Sequence, residues 1–117
     1  MKQLTKAEEE VMQILWLLKH GSVKQIVGEF KSPKPAYNTV STIVRILEDK
    51  GFVGYEKHGR FHIYHPLIKK EDYSNQTLNK FIDNYFQGSF ESMVSFFVKE
   101  NDLSVEELES VLNQLKK

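Results

Sequence analysis

The residues with the clearest chemical potential lie in one segment, residues 37–47. Along it, polar side chains recur at helical spacing on one face: Asn38, Ser41, Thr42 and Arg45. An ordinary solvated helix face is richer in Glu and Lys pairs. Arginine can donate two hydrogen bonds to guanine, asparagine can pair with adenine, and hydroxyl groups can reach phosphates. The pattern therefore predicts a helix that lies in the major groove of DNA; a Ser/Thr-rich surface helix without function is the alternative.

A second group of candidate DNA contacts surrounds a glycine, with Lys57, His58 and Arg60 placed about Gly59. Cations on a projecting turn suit contact with phosphates or entry into the minor groove, whereas a solvated turn is the plain alternative. The complete set of predicted DNA contacts is Tyr37, Asn38, Thr39, Ser41, Thr42, Arg45, Lys57, His58 and Arg60.

Three helices are predicted to position the first group. Thr5-x-x-Glu8 and Ser22-x-x-Gln25 are capping boxes, in which each side chain satisfies a backbone N–H left free at a helix start. A third helix is predicted over residues 36–50, with Pro35 suited to its first position and Gly51 ending it.

A β-hairpin is predicted next, because two short alternating segments, residues 52–57 and 60–65, flank His58-Gly59. The buried positions expected nearby are Phe52, Phe61 and Ile63, while Trp16 is expected to pack against the hairpin or a later helix. Three helices followed by a hairpin is the order of a winged helix-turn-helix, with the hairpin as the wing. The predicted fold class is mainly α with a small β-hairpin.

The rest of the chain predicts three more helices and a dimerisation device. Residues 73–115 contain five of the eight phenylalanines, more than three short helices can bury alone. We expect a winged-helix DNA-binding domain over 1–66 and a helical domain over 67–117 that interleaves with a second copy. A tail folded back onto its own winged helix is the alternative. The predicted dimerisation residues are Leu78, Phe81, Ile82, Tyr85, Phe86, Phe90, Met93, Val94, Phe97, Leu108, Val111 and Leu112.

The charge balance agrees with a nucleic-acid partner for the front of the chain. Residues 1–66 carry ten Lys/Arg and seven Asp/Glu, a balance of +3, and residues 67–117 carry six and nine, a balance of −3. A basic front with an acidic tail is typical of a protein that meets a polyanion with its front only, although an excess this small also arises by chance.

The same composition argues against several other classes. Without cysteine there is no disulfide, thiolate nucleophile or Cys-ligated zinc. His62 and His65 would point to opposite faces of a strand, so no metal site is predicted, and no cofactor. No P-loop, HExxH or nucleophile elbow is present, so we expect no enzyme. No apolar run approaches the roughly 18 residues that cross a bilayer, and we expect a cytoplasmic protein without membrane insertion.

Five segments carry a family resemblance: Leu4-Thr5-x-x-Glu8, Val11-Met12-x-Ile14-Leu15-Trp16, Tyr37-Asn38-Thr39-Val40-Ser41-Thr42-Ile43, Leu47-Glu48-x-Lys50-Gly51-Phe52-Val53 and Gly59-Arg60-Phe61-x-Ile63-Tyr64-x-Pro66-Leu67. Through them the chain resembles the BlaI/MecI/CopY family of bacterial repressors. The resemblance implies a winged helix with a C-terminal dimerisation domain. It also implies binding to palindromic operators upstream of resistance genes, and release when a membrane sensor-protease cleaves the repressor.

The chain departs from that family at three points. The copper-responsive branch has a Cys-x-Cys pair, which is absent here, so copper sensing through thiolates is excluded. The β-lactam branch is cleaved at an Asn-Phe bond, and the matching bond is Phe96-Phe97, which leaves the inducing signal open. Ile46 stands where relatives often have Arg, which would weaken or alter a backbone contact.

Two other functions remain to be distinguished. A winged helix can act as a protein–protein adapter, in which case the third helix would dock a partner and the chain would not bind duplex DNA even at low salt. A small-molecule sensor with a site between the tail helices would be compatible with DNA binding.

Overall fold

The structure, a computed structural model, describes residues 2–115, without the side chains of Leu112 and Leu115. These residues form α1 (Lys6–Leu18), α2 (Val23–Glu29), α3 (Tyr37–Asp49), β1 (Val53–His58), β2 (Phe61–Pro66), α4 (Lys70–Phe86), α5 (Phe90–Glu100) and α6 (Val105–Leu115). The predicted fold class, mainly helical with one hairpin, is confirmed. The chain separates into two compact units, Met1–Gln76 and Thr77–Lys117.

The first two helices begin as their capping boxes predict. The Glu8 N–H donates to Thr5 Oγ1 at 3.2 Å and the Thr5 N–H donates to Glu8 Oε1 at 2.9 Å. Ser22 and Gln25 repeat this exchange at the start of α2, at 3.2 and 2.8 Å. Both capping predictions are confirmed.

The third helix begins one residue later than predicted. Ala36 is its N-cap, with φ −67° and ψ 150°, and no side chain caps it. Because ψ at Ala36 is extended, Pro35 lies outside the helix, and its predicted place at the first helical position is wrong. The fixed φ of Pro35 is compatible with an extended backbone before the helix as well as with the first helical position.

The core of the first unit forms where the three helices meet. On α3, Val40, Val44 and Leu47 are fully buried, and they pack in one cluster with residues of α1 and α2 such as Leu15 and Ile26. Burial of each such side chain contributes about 1.5–3 kcal/mol. The apolar face of α3 is therefore fixed inward, which leaves the opposite face at the surface.

The hairpin is antiparallel, with its register running from Val53↔Pro66 to His58↔Phe61. Its two-residue turn is therefore Gly59-Arg60, one position later than predicted. Gly59 has a φ of +64°, and Arg60 is not among the residues with positive φ. A glycine in that conformation at the first central position is typical of a type II′ turn, whereas the predicted turn would have placed it second.

A backbone bridge ties the hairpin to the loop between α1 and α2. The Gly21 N–H donates to Tyr64 O at 2.9 Å, and the Tyr64 N–H donates to Gly21 O at 2.8 Å. A Cβ on Gly21 would lie 3.3 Å from Leu18 Cδ1, which is a close contact. This isolated antiparallel bridge joins Gly21 to β2 and holds the wing against the loop between α1 and α2.

The three apolar residues expected in the core near the hairpin have different environments. Phe52 is fully buried, as predicted, and Ile63 is half-buried. Phe61 is 65% exposed, so its predicted place in the core is wrong. The reason is its position, because it follows the turn directly and lies at the tip of the wing, beyond the helices that form the core.

The start of α4 completes the core of the first unit. Tyr73 is buried, its ring lies edge-on to Phe52 at 5.6 Å, and its hydroxyl donates to Glu9 Oε1 at 3.2 Å. The Trp16 Nε1–H donates to Ile68 O at 2.9 Å, and the Trp16 ring lies 6.1 Å from that of Tyr73. The expectation that Trp16 packs against a tail helix is confirmed.

In the second unit, many large apolar side chains are left at the surface. Ile82 is 5% exposed, but none of the residues of α5 is buried. The exposed members of the predicted dimerisation set are Leu78, Phe81, Tyr85, Phe90, Phe97 and Val111. Phe86, Met93, Val94 and Leu108 are half-buried, and the Leu112 side chain lies outside the described residues. No helix in the described part of the chain is long and apolar enough to cross a membrane.

An ion pair joins the start of α1 to the end of α3. Lys50 Nζ lies 2.6 Å from Glu8 Oε1, and Glu8 is the buried charged residue of the first unit, 5% exposed. Burial alone raises the pKa of Glu8, but hydrogen bonds from Lys50 and Thr5 outweigh it and lower the pKa below 4.5. The pair therefore anchors the C-terminal end of α3 as a charged contact.

Replacing Glu8 by Gln (Glu8→Gln) is expected to lower the free energy of unfolding by about 1–3 kcal/mol, because Lys50 loses a partly buried counter-charge. A lowered folded-state pKa stabilises above the unfolded value, and this stabilisation is lost as pH falls through the folded pKa. The stability gap between wild type and variant should therefore be constant at neutral pH and close below pH 4.5. Urea denaturation across pH measures the gap. The exposed Glu10→Gln variant is the control, and a gap that persists at about pH 2 would contradict the ion pair.

Candidate nucleic-acid interface

The outward face of α3 gathers the predicted helix contacts on one surface. Five of these side chains are exposed and Ser41 is half-buried; the set is Tyr37, Asn38, Thr39, Ser41, Thr42 and Arg45. Their common orientation follows from the burial of the opposite, apolar face. The short side chains of this set, Asn38, Ser41 and Thr42, would allow the backbone of α3 to come close to the base edges in a nucleic-acid groove.

Two hydrogen bonds within α3 determine what this face can offer. Thr42 Oγ1–H donates to Asn38 O at 3.0 Å, so Thr42 presents an oxygen acceptor and a methyl group outward. Arg45 Nη2–H donates to Ser41 Oγ at 3.3 Å, which holds the guanidinium along the helix. Since guanidinium has five N–H donors, Arg45 keeps enough of them for a bidentate contact.

A groove of about 770 Å³ separates α3 from the wing and the first turn of α2. Tyr37, Ser41 and Arg45 lie on its helix side, and His58 and Arg60 lie on its wing side. The structure thus brings five of the nine predicted DNA contacts to one concave surface. The other four are exposed but do not line it: Asn38, Thr39, Thr42 and Lys57.

Ten further residues line the groove that the sequence does not predict as DNA contacts: Ser22, Val23, Lys24, Gln25, Glu48, Tyr55, Phe61, His62, Ile63 and Tyr64. Ser22 and Gln25 are predicted only as a capping box, and nothing in their spacing indicates that α2 begins beside the wing. The alternation of the hairpin was a usable signal for Tyr55 and His62, because it places both on one face of the sheet.

An aromatic cluster forms one wall of the groove. The Tyr55 and His62 rings are stacked, with centroids 4.3 Å apart and planes 12° apart. The Tyr64 hydroxyl lies 3.5 Å from His62 Nδ1. Burial raises the pKa of Tyr64, and the Glu48 carboxylate raises it further, although Arg45 acts in the opposite direction. Tyr64 is therefore a neutral phenol at neutral pH.

The charges at the wing tip are not uniformly positive. His58 Nε2 lies 3.6 Å from Glu56 Oε2, and both side chains are mostly exposed. Such exposed pairs contribute little to stability. Lys57 and Arg60 supply the permanent positive charge of the tip, and His58 adds to it when protonated. No group of three His, Cys, Asp or Glu residues in residues 2–115 is arranged to hold a metal ion.

A lysine outside the predicted set fixes the turn that orients α3. Lys34 Nζ donates to Gly28 O and to Phe30 O, each at 2.7 Å. An ammonium group at a helix C-terminus satisfies carbonyls that the helix leaves free and opposes the negative end of the helix dipole. The turn between α2 and α3 is therefore held by a side chain from within the turn.

Comparison with known proteins identifies relatives along almost the whole chain. The family model described as penicillinase repressor matches residues 4–117. The methicillin resistance regulatory protein MecI of Staphylococcus aureus (strain N315) is 34% identical over 116 residues, which cover 98% of this chain and 94% of that protein. The penicillinase repressor of Bacillus licheniformis is 32% identical over 109 residues, 91% of this chain and 84% of that protein.

A solved structure resembles part of the fold. The DNA-binding domain of the repressor BlaI, determined in solution, superposes with a TM-score of 0.54 at 30% identity. The match covers 61% of this chain and 88% of that domain. The predicted family resemblance is confirmed by these matches.

The turn that carries the wing tip can be tested by two glycine substitutions. Gly59→Ala is expected to lower the free energy of unfolding by about 1–2 kcal/mol, because φ at Gly59 is +64° and an added Cβ is strained there. Gly59→Asn should lose less, since Asn tolerates such turns better. The control is Gly28→Ala on α2, where a Cβ would meet nothing within 4 Å and should be neutral or stabilising. Urea denaturation measures all three, and equal stability of Gly59→Ala and wild type would refute this turn geometry.

Proposed function

The chain belongs to the penicillinase repressor family, and we propose that it is a transcriptional repressor that binds a palindromic DNA operator as a homodimer. The observation that carries the proposal is the groove with Arg45 on its helix wall and Arg60 on its wing wall. A polyanion seated there meets a cation on each side, while the Glu48 carboxylate of α3 also lines the groove. The match to the DNA-binding domain of BlaI favours this function over a protein–protein adapter.

In the proposed complex α3 lies in the major groove. Arg45 reads guanine through O6 and N7, and Asn38 reads adenine, since both side chains are exposed on the same face. Thr42 accepts a hydrogen bond or packs its methyl group on thymine, because its hydroxyl hydrogen is already donated within the helix. Ser41 acts mainly through its hydrogen bond with Arg45. Tyr37 and Thr39, in the first turn of α3, contact the sugar-phosphate backbone of the DNA.

In this proposal the wing contacts the phosphate backbone of the DNA beside the base pairs that α3 reads. Lys57 and Arg60 neutralise phosphates, and His58 does so when it is protonated. Hydrogen bonds to phosphate fix the register of the protein on the duplex but carry no sequence information. The wing therefore contributes affinity, and α3 contributes the choice of sequence.

The second copy is supported by the surface of the tail. On α5, Phe90 is 58% exposed, Phe96 is 55% exposed and Phe97 is 57% exposed. Exposed apolar surface of this density marks an interaction site. A two-fold partner would cover it with the same surface, and two α3 helices would then read the two halves of a palindrome. We accordingly assign DNA binding to residues 1–66 and dimerisation to residues 67–117.

The bond that matches the family's cleavage site lies within a helix and differs from that site in residue type. The Phe96-Phe97 bond lies inside α5, so the helix would have to unwind before a protease could bind it. Phe96 also replaces the asparagine expected from the family resemblance. A membrane sensor-protease is thus a partner of this chain only if it accepts phenylalanine at that position. Action on chromosomal DNA would place the protein in the cytoplasm.

The reading role of α3 is tested by Arg45→Ala on a duplex selected from a random library by the wild-type protein. We expect binding to weaken by about 1–3 kcal/mol and specificity to relax at one base pair per half-site. Fluorescence anisotropy measures affinity, and sequencing of duplexes selected by the variant measures specificity. Unchanged selection by Arg45→Ala would contradict base reading by this residue.

The matched control is a cation on the wing. Lys57→Ala should weaken binding to selected and random duplexes alike and reduce the salt dependence of log K, whose wild-type slope should be roughly −5 to −7 for six to eight phosphates. Absence of binding to any duplex at low salt would overturn the repressor proposal as a whole.

The oligomeric state is tested by Phe97→Glu. A charge at the centre of the apolar surface of α5 should convert a dimer, of about twice the 13.7 kDa chain mass, to a monomer. Sedimentation equilibrium measures the mass. Leu17→Glu is the control, because Leu17 is 72% exposed on α1 and lies outside the proposed interface. A wild-type protein that stays monomeric at micromolar concentration would refute the dimer.

A further inference from the structure

The wing tip carries a large apolar side chain that the fold does not use. Phe61 is 65% exposed, whereas Phe52, the phenylalanine that precedes the same hairpin, is fully buried. Phe61 is the first residue of β2, directly after the Gly59-Arg60 turn, and it pairs with His58 across the hairpin. Exposure on this scale at a projecting tip means that burial of Phe61 contributes little to folding.

Packing within the hairpin does not account for Phe61 either. The ring contacts of the wing join Tyr55, His62 and Tyr64. Side chains alternate between the faces of a strand, so Phe61 lies on the face opposite His62 and Tyr64. In the described part of the chain, Phe61 takes part in no ring contact of that cluster.

The surroundings of Phe61 are those of a DNA contact. It lines the groove that faces Arg45, and its neighbours at the tip are Lys57, His58 and Arg60. Glu56 is the acidic residue of the wing, and it lies beside His58. An apolar ring framed by cations suits a ligand that offers phosphates beside apolar surface, as the sugars and base edges of a DNA groove do.

We propose that Phe61 is a DNA-contacting residue that packs against deoxyribose and base edges in the minor groove next to the major groove occupied by α3. This inference rests on the proposed repressor function and extends it by assigning an apolar contact to the wing. Apolar side chains flanked by basic ones commonly enter the minor groove, where the cations hold the phosphates on either side. Phe61 then adds affinity that does not depend on salt.

The first test compares Phe61→Ala with wild type on random-sequence duplex DNA at low salt. Loss of an apolar contact should weaken binding about 5- to 30-fold while the slope of log K against log salt stays unchanged, because no charge is removed. Phe61→Leu, which keeps an apolar side chain, should recover most of the affinity. Leu17→Ala is the matched control, because Leu17 is equally apolar, 72% exposed and outside the groove.

The second test identifies the groove. Duplexes of alternating inosine and cytosine present the same major-groove groups as guanine and cytosine but lack the amino group in the minor groove. Wild type should bind the inosine duplex more tightly, and the ratio of the two dissociation constants should fall towards one in Phe61→Ala. A ratio unchanged by the substitution would overturn the minor-groove placement.

The outcomes separate this inference from the function on which it rests. Wild-type affinity in Phe61→Ala, with wild type itself binding duplex DNA, would overturn the role of Phe61 and leave the repressor proposal standing. Weakened binding together with a lower thermal midpoint in Phe61→Ala would make Phe61 a structural residue and would also overturn it. If wild type binds no duplex, both proposals fail.

Discussion

The burial of one face of α3 is the constraint on which the rest of the structure depends. Val40, Val44 and Leu47 are fully buried against α1 and α2, so the helix cannot rotate without exposing them. A rotation by one residue, about 100° in a helix, would move Arg45 towards the core. The position of the proposed DNA-reading face is thus a consequence of packing on the opposite face.

Three further contacts position the wing, the turn before α3 and the end of α3. The Gly21 bridge to Tyr64 holds the base of the wing, Lys34 holds the turn before α3, and the Glu8 pair with Lys50 holds its end. Each contact uses a polar or backbone group near the end of a helix, where hydrogen-bonding capacity is left over, and the bridge pairs such a group with the backbone of Tyr64 within β2. These contacts position the wing and both ends of α3, between which the groove lies.

Features that depend on local chemistry could be predicted from the sequence, whereas features that depend on tertiary packing could not. Both capping boxes and the two faces of α3 could be predicted, because they depend on spacing within one element. The turn was placed one residue early, since His58-Gly59 and Gly59-Arg60 are both acceptable hairpin turns locally. Phe61 was assigned to the core because alternation shows which residues share a face but not how far the hairpin projects. The role of α2 in the groove could not be predicted, since it depends on the tertiary position of the wing.

The two units differ in how far they satisfy their own apolar surface. The first has a closed core to which α1, α2, α3, the hairpin and Tyr73 all contribute. The second buries Ile82 but leaves α5 without a buried residue. A unit of that kind would gain stability from the proposed association, and the stability of an associating unit depends on protein concentration. One recognition helix reads few base pairs, so a tail that forms the proposed homodimer would also bring a second α3 helix to the operator. In the proposed homodimer, folding of the tail and selection of a two-fold operator would be coupled, because both would require the same pair of chains.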